Sequence, residues 1–291
     1  MLKPAFSTVA CPEWTLREVA EKAVACGFEA VELRTFGAAS REFACDPAMT
    51  AEEKTRRLLV EAGVEPLCLA TGVRFDEPIF PPVIGLFSPD RERSVREGKR
   101  AVDLAVGIEC PFVRVFGFEY PKRERAASAL RRISDRMKMV LDHADKSGVR
   151  VVVENGGAFD TAPKLVELMD LVKHPLLGAS YSVAVGHGAG EDPKSAVETL
   201  GTRLWVGRVK DMKDGRPCLL GEGSVPCEAF AGALTARGFA GPLVFEWDRA
   251  WIPGLAPAEE VLKAASRTIF GWIGASRGVV AGAATAGASR R

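Results

Sequence analysis

Short apolar runs alternate with amphipathic stretches along almost the whole chain. AFSTVA at 5–10 is the first run, followed by AVEL (30–33), PLCLA (66–70) and FVRVFG (112–117). VRVVVEN (149–155), LGASYSV (177–183), LWVGRVK (204–210) and PLVFEWD (242–248) complete the series. Each is short, rich in β-branched or aromatic residues and bounded by Gly or Pro. That is the pattern of parallel strands buried on both faces.

Helix signatures lie between the runs. TLRE at 15–18 and TAEE at 50–53 read as capping boxes, in which the third carboxylate reaches back to the cap amide. Ser88 before Pro89 reads as a cap ahead of a proline at the first helical position. CGF, AGV, SGV and RGF each place a glycine where a helix should stop before the next strand. Eight strand–helix units with right-handed crossovers predict a (β/α)8 TIM barrel, a single α/β domain over 1–273. The competitor is an open doubly wound sheet, but no strand is followed by the GxGxxG turn of a dinucleotide site. Residues 274–291 are Gly/Ala/Ser-rich and are expected to form a flexible tail. The connection from Ala70 to Asp90 is long and carries Phe75, Ile79, Phe80, Ile84 and Phe87. It predicts a lid over the barrel mouth or a loop packed on its rim.

The net charge is +1 over 291 residues and no Lys/Arg run occurs, which argues against a nucleic-acid partner. The three histidines are scattered, so they offer no cluster of metal ligands of the kind a metal-dependent nuclease needs. Seven cysteines without CxxC spacing fit reduced thiols. The absence of a signal-peptide pattern or an apolar run near the ~18 residues of a membrane span predicts a cytoplasmic protein with no membrane partner.

In a barrel, the C-terminal ends of the strands converge on one mouth. Those ends carry Arg34, Arg114, Glu154 with Asn155, Ser182, Arg208 with Lys210, and Glu246. Two carboxylates ending apolar strands are costly to bury without a cation or a proton, which marks a site rather than two rim ion pairs. Alternation puts Lys210 on the same side as Arg208, where it can hold a phosphate or carboxylate or pair with Glu246. The plainer role for Lys210 is a rim ion pair with Asp211 or Asp214. Trp247, Arg249 and Trp251 are of the types that stack on a sugar ring, although such aromatics also build cores. His143 reads as a helix-surface residue, and His174 lies at a helix end, where a cation is favourable.

The order VVVEN, ASYSVAVGHGAGEDP, VGRVKD, GEGSVP, FEWD resembles the sugar phosphate isomerase/epimerase family of xylose-isomerase-like barrels, over about residues 4–273. The resemblance implies a divalent metal (Mn, Mg or Zn) held by Glu, Asp, His and Glu from the fifth to eighth strands. It also implies that the two glutamates exchange protons on a sugar or sugar phosphate. Glu154 and Glu246 match those glutamates, but Ser182 stands at the aspartate position and Arg208 at the histidine position. A guanidinium cannot bind a cation, so the expectation is a degenerate metal site with no resident cofactor. Glu154 and Glu246 then become the catalytic proton carriers, and Arg208 the fixed charge that stabilises an enediolate oxygen. Lys210, His187, Asn155, Trp247, Arg249 and Arg114 are the expected substrate contacts. Two alternatives stand: an inactive barrel that binds a carbohydrate or a partner protein, and a metal enzyme with shifted ligands Glu154, His187 and Glu246. A homo-oligomer is compatible with each of them.

Overall fold

Strands that are apolar on both faces have no side to offer water, and they pair with one another under a layer of helices. The computed structural model describes residues 2–78, 92–116, 119–120 and 124–288, with side chains up to 274. The strands are β1 (Lys3–Ser7), β2 (Ala30–Arg34), β3 (Glu65–Ala70), β4 (Phe112–Phe116), β5 (Arg150–Glu154), β6 (Leu177–Ser182), β7 (Leu204–Val209), β8 (Asp211–Lys213), β9 (Arg216–Cys218) and β10 (Pro242–Phe245). The α-helices are α1 (Leu16–Ala25), α2 (Glu52–Ala62), α3 (Arg93–Gly107), α4 (Ala126–His143), α5 (Ala162–Val172), α6 (Val183–Gly188), α7 (Pro193–Leu200), α8 (Cys227–Ala236) and α9 (Ala258–Ala288). Eight strands close a parallel barrel in the order β1-β10-β7-β6-β5-β4-β3-β2, and β8–β9 is a small hairpin inserted after β7. This is the (β/α)8 barrel expected from the alternation.

The local signals divide. Thr15 caps α1, with Glu18 returning a carboxylate to the Thr15 amide at 2.8 Å. Gly63 closes α2 at φ 69°, a conformation that only a residue without Cβ adopts cheaply. Thr50 does not cap α2: Ala51 does, without a side-chain bond, because the Thr50 amide is spent on Pro47 in the preceding 3-10 turn. Ser88 and Pro89 lie outside the described residues, as do Ile79, Phe80, Ile84 and Phe87 of the expected lid. Phe75, at the start of that connection, is fully buried. The helix α9 continues to Ala288 through the stretch where composition suggested a loose tail; alanine is the strongest helix former. None of the described helices is long and apolar enough to cross a membrane.

The inside of the barrel is layered. Ala5, Ala30, Cys68, Val152, Val206 and Val244 pack together as an apolar floor. Side chains alternate with period two, so the inward positions one step further along the strands are Glu32, Arg114, Glu154, Arg208 and Glu246. The register agrees, setting Ser182 beside Arg208, and Glu154 between Phe116 and Ser180.

Candidate active site at the barrel mouth

Arg208 projects from β7 into the middle of this charged layer and is fully buried. Its Nη1 donates to Glu32 Oε2, and its Nη2 donates to Glu32 Oε1 at 3.0 Å and to Glu246 Oε1 at 3.2 Å. Its Nε lies 3.1 Å from Glu154 Oε2, close enough for an ion pair but not aligned as a hydrogen bond. One guanidinium therefore meets three carboxylates from β2, β5 and the end of β10. Burial opposes its charge, but the fields of Glu154, Glu32 and Glu246 hold its pKa well above the ordinary value.

The carboxylates are matched in turn. Arg114 Nη1 donates to Glu154 at 2.5 Å from the β4 side. Burial would raise the Glu246 pKa, yet Arg208, Lys210 and Arg114 bring it from 4.5 down to about 2. Glu32 is also lowered: burial acts against its charge, and Arg208 and Arg114 prevail. Lys210 Nζ lies 3.8 Å from Glu246 Oε2 and donates to Asp248 at 2.8 Å, so it does share a side with Arg208. Asp248 takes the place expected of Asp211 or Asp214.

Asp211 has a different task. Its side chain accepts four backbone amides, from Met212, Gly221, Gly223 and Val225, at 2.8 to 3.0 Å. It thereby anchors the GEGSVP loop. A Cβ on Gly223 would sit 2.2 Å from Asp211 Oδ1, which is why that position is glycine.

Several candidates fall away from the cluster. His187 is exposed in α6, where the glycine-rich loop turns tightly: a Cβ on Gly186 would come within 1.8 Å of Tyr181 Oη. Trp247 is buried in the core, its Nε1 donating to the Ala256 carbonyl at 3.0 Å, so it offers no open ring face. Arg249 pairs with Glu13. Asn155 clasps Ser182, giving Nδ2 to its carbonyl at 3.1 Å and accepting its amide at 2.7 Å, and so locks β5 to β6. His143 bonds Asp103 at 2.7 Å on the outside of α4, and His174 accepts the Leu176 amide at 3.2 Å beyond α5. Trp251, by contrast, is half exposed beside Phe36 and Phe43 near the mouth.

A pocket of about 440 Å³ opens onto this end of the barrel, and Arg34, Gly72, Arg74, Phe116, Glu154 and Asn155 are among its walls. Arg208, Glu32 and Glu246 lie behind it. A wider recess of about 1050 Å³ occupies the opposite face, among strand starts such as Lys3, Glu65 and Trp205. Its acids are already paired, Glu65 with Lys3 and Glu109 with Arg56, both at 2.8 Å. The chemically dense pocket is the smaller one, at the end where barrel loops carry function.

Glu32 is the participant that strand-end reasoning passes over. Its signal was a carboxylate in the middle of AVEL, a four-residue apolar run, at the inward parity.

The barrel resembles solved structures over nearly its whole length. An L-ribulose 3-epimerase superposes with a TM-score of 0.78 at 15% identity, covering 96% of this chain and 97% of the other. The probable 3-DHS dehydratase AsbF of Bacillus anthracis gives 0.74 at 18% identity, covering 92% and 99%. An IOLI protein with a bound zinc atom gives 0.75 at 18% identity, covering 94% and 98%. Among curated proteins no sequence matches. A family model matches residues 20–269, and by that match the chain belongs to the xylose isomerase-like TIM barrel family.

Proposed function

We propose that the mouth binds a carbonyl-bearing sugar or sugar phosphate and moves a proton on it, as an isomerase or epimerase does, with Arg208 in the place of the family's metal. The observation that carries this reading is the position of Glu154. Of the three carboxylates around Arg208, it is the one that lines the pocket, and Arg114 holds it at 2.5 Å. The sugar epimerases among its structural neighbours support the choice of substrate.

A divalent ion does not fit this donor set. Glu32, Glu154 and Glu246 already face a guanidinium that cannot give up its proton, and a dication would be repelled by it. No step is therefore routed through a metal. Glu154 accepts a proton from the carbon beside the carbonyl and delivers it to the former carbonyl carbon. The hydroxyl proton of the enediol meanwhile passes from one oxygen to the other, so that an aldose and a ketose interchange. Glu246, ionised down to about pH 2, acts as a counter-ion rather than a proton carrier. Arg208 is buried behind the pocket, so it positions Glu154 instead of touching the enediolate.

The full pairing of the carboxylates also favours a second reading, a barrel that binds carbohydrate without turning it over. The two readings separate in D2O. Incubation with a panel of aldoses, ketoses and their phosphates, followed by NMR, should show deuterium at one carbon of the accepted sugar. Glu154→Gln should abolish the exchange. Binding without exchange across the panel supports the second reading.

A further inference from the structure

Among the described residues, four of the five cations at the mouth are neutralised by carboxylates: Arg208 by three of them, Arg114 by Glu154, Lys210 by Asp248, and Arg74 by Asp76. Arg34, at the end of β2, is different. Among the described residues no carboxylate lies within ion-pair distance of it, although it is only 9% exposed. Its Nη1 donates to the Thr71 carbonyl, and its Nε is buried with no partner. The guanidinium carbon lies 5.8, 6.0 and 5.6 Å from the ring centres of Phe36, Phe116 and Trp251, so an aromatic frame surrounds it without cancelling its charge. It lines the same pocket as Glu154. Gly72 leaves room beside it: a Cβ there would sit 3.3 Å from Nη2.

We infer that the ligand of this pocket carries an anionic group, a carboxylate or a phosphate, that docks on Arg34. This rests on the reading of the mouth as a carbohydrate site and narrows it to acidic or phosphorylated sugars. A planar guanidinium presents a fork of N–H donors that matches either oxyanion, whereas neutral hydroxyls would leave its charge uncompensated in a buried setting. Burial and the neighbouring Arg114 push the Arg34 pKa down to about 10, the mark of a cation short of a counter-charge. Because Arg34 and Glu154 share the pocket, a substrate anchored at its acidic end is held for proton transfer further along its chain.

The test is calorimetric titration of the full chain with D-gluconate, D-glucose 6-phosphate, D-glucose and inorganic phosphate. An anionic sugar should bind about 10- to 100-fold more tightly than glucose, the span of a charge-assisted hydrogen bond. Arg34→Gln should erase that preference, and Arg34→Lys should restore part of it. Gly72→Ala, which crowds the guanidinium without removing its charge, should weaken anion binding and serves if the Arg34 variants do not fold. Gluconate binding alone identifies a carboxylate site; binding of the phosphates alone identifies a phosphate site. Equal binding of glucose and the anions, an anion preference that survives in Arg34→Gln, or failure of every anion to bind overturns the inference. Arg34-dependent anion binding with no deuterium exchange sinks the isomerase reading and leaves this one standing.

Discussion

Arg208 and Glu32, 176 residues apart in the chain, meet as a two-point fork inside the barrel, and both side chains are fully buried. The fork joins β2 to β7, strands that are not neighbours in the barrel wall, so the contact spans the interior. With Glu154 and Glu246 it ties four strands through one side chain.

Breaking such a knot at Glu32 takes one of three counter-charges from the buried guanidinium and leaves it Glu154 and Glu246. Glu32→Gln should lower unfolding stability by about 1.5–3 kcal/mol. Urea unfolding monitored by circular dichroism checks this, and a loss below 1 kcal/mol would mean that Arg208 repacks freely. Arg208→Met, which takes the shared cation from Glu32, Glu154 and Glu246 together, should cost more than Glu32→Gln.

The same charges set the acid limb of stability. The folded pKa of Glu246 is depressed from 4.5 to about 2, and that of Glu32 is depressed as well. Their contribution is complete above 4.5 and is lost as pH falls towards 2, because the unfolded chain then takes up protons first. Urea midpoints measured across this window should fall steadily, and Glu246→Gln should flatten part of the decline. An unchanged slope in that variant would show that Glu246 is not held ionised by its neighbours.

Restoring the family's donors tests the reading of Arg208 as a stand-in for a metal. Ser182 and Arg208 are register partners on β6 and β7, so new ligands there would point together at Glu154 and Glu246. The double substitution Ser182→Asp and Arg208→His should bind manganese or zinc in calorimetry, and the parent chain should bind neither. Stoichiometric metal in the parent protein would refute the proposal.

Thiol chemistry gives a simple check of the core. All seven cysteines are free; six are buried and Cys218 is partly accessible on β9. Burial pushes Cys45, Cys110 and Cys227 up to about 12, which suppresses their thiolates. Ellman's reagent should react with Cys218 first and with the others only as the chain unfolds.

The barrel was readable from the chain because each strand is a bounded apolar run and each crossover an amphipathic stretch. Glu154, Arg208 and Glu246 were readable too, since a charge that ends such a run has few innocent explanations. Glu32 was harder, because a carboxylate flanked by Val31 and Leu33 reads as part of the strand until closure of the barrel reveals which way it points. Trp247 and Arg249 show the opposite difficulty. Their residue types suit a sugar site, but orientation decides, and it sends one into the core and the other to Glu13. The difference between Arg34 and Arg114 was not in the sequence at all, because both end strands and only the fold supplies a carboxylate to one of them.

The Asp211 carboxylate gives the adjoining loop a distinctive kinetic character. Four amides share one acceptor group, so none can be freed far without disturbing the other three. The segment from Met212 to Val225 should therefore open as a unit, and the amides of Met212, Gly221, Gly223 and Val225 should exchange with solvent at a common rate. The rim beside Lys210 is thus latched by a single aspartate.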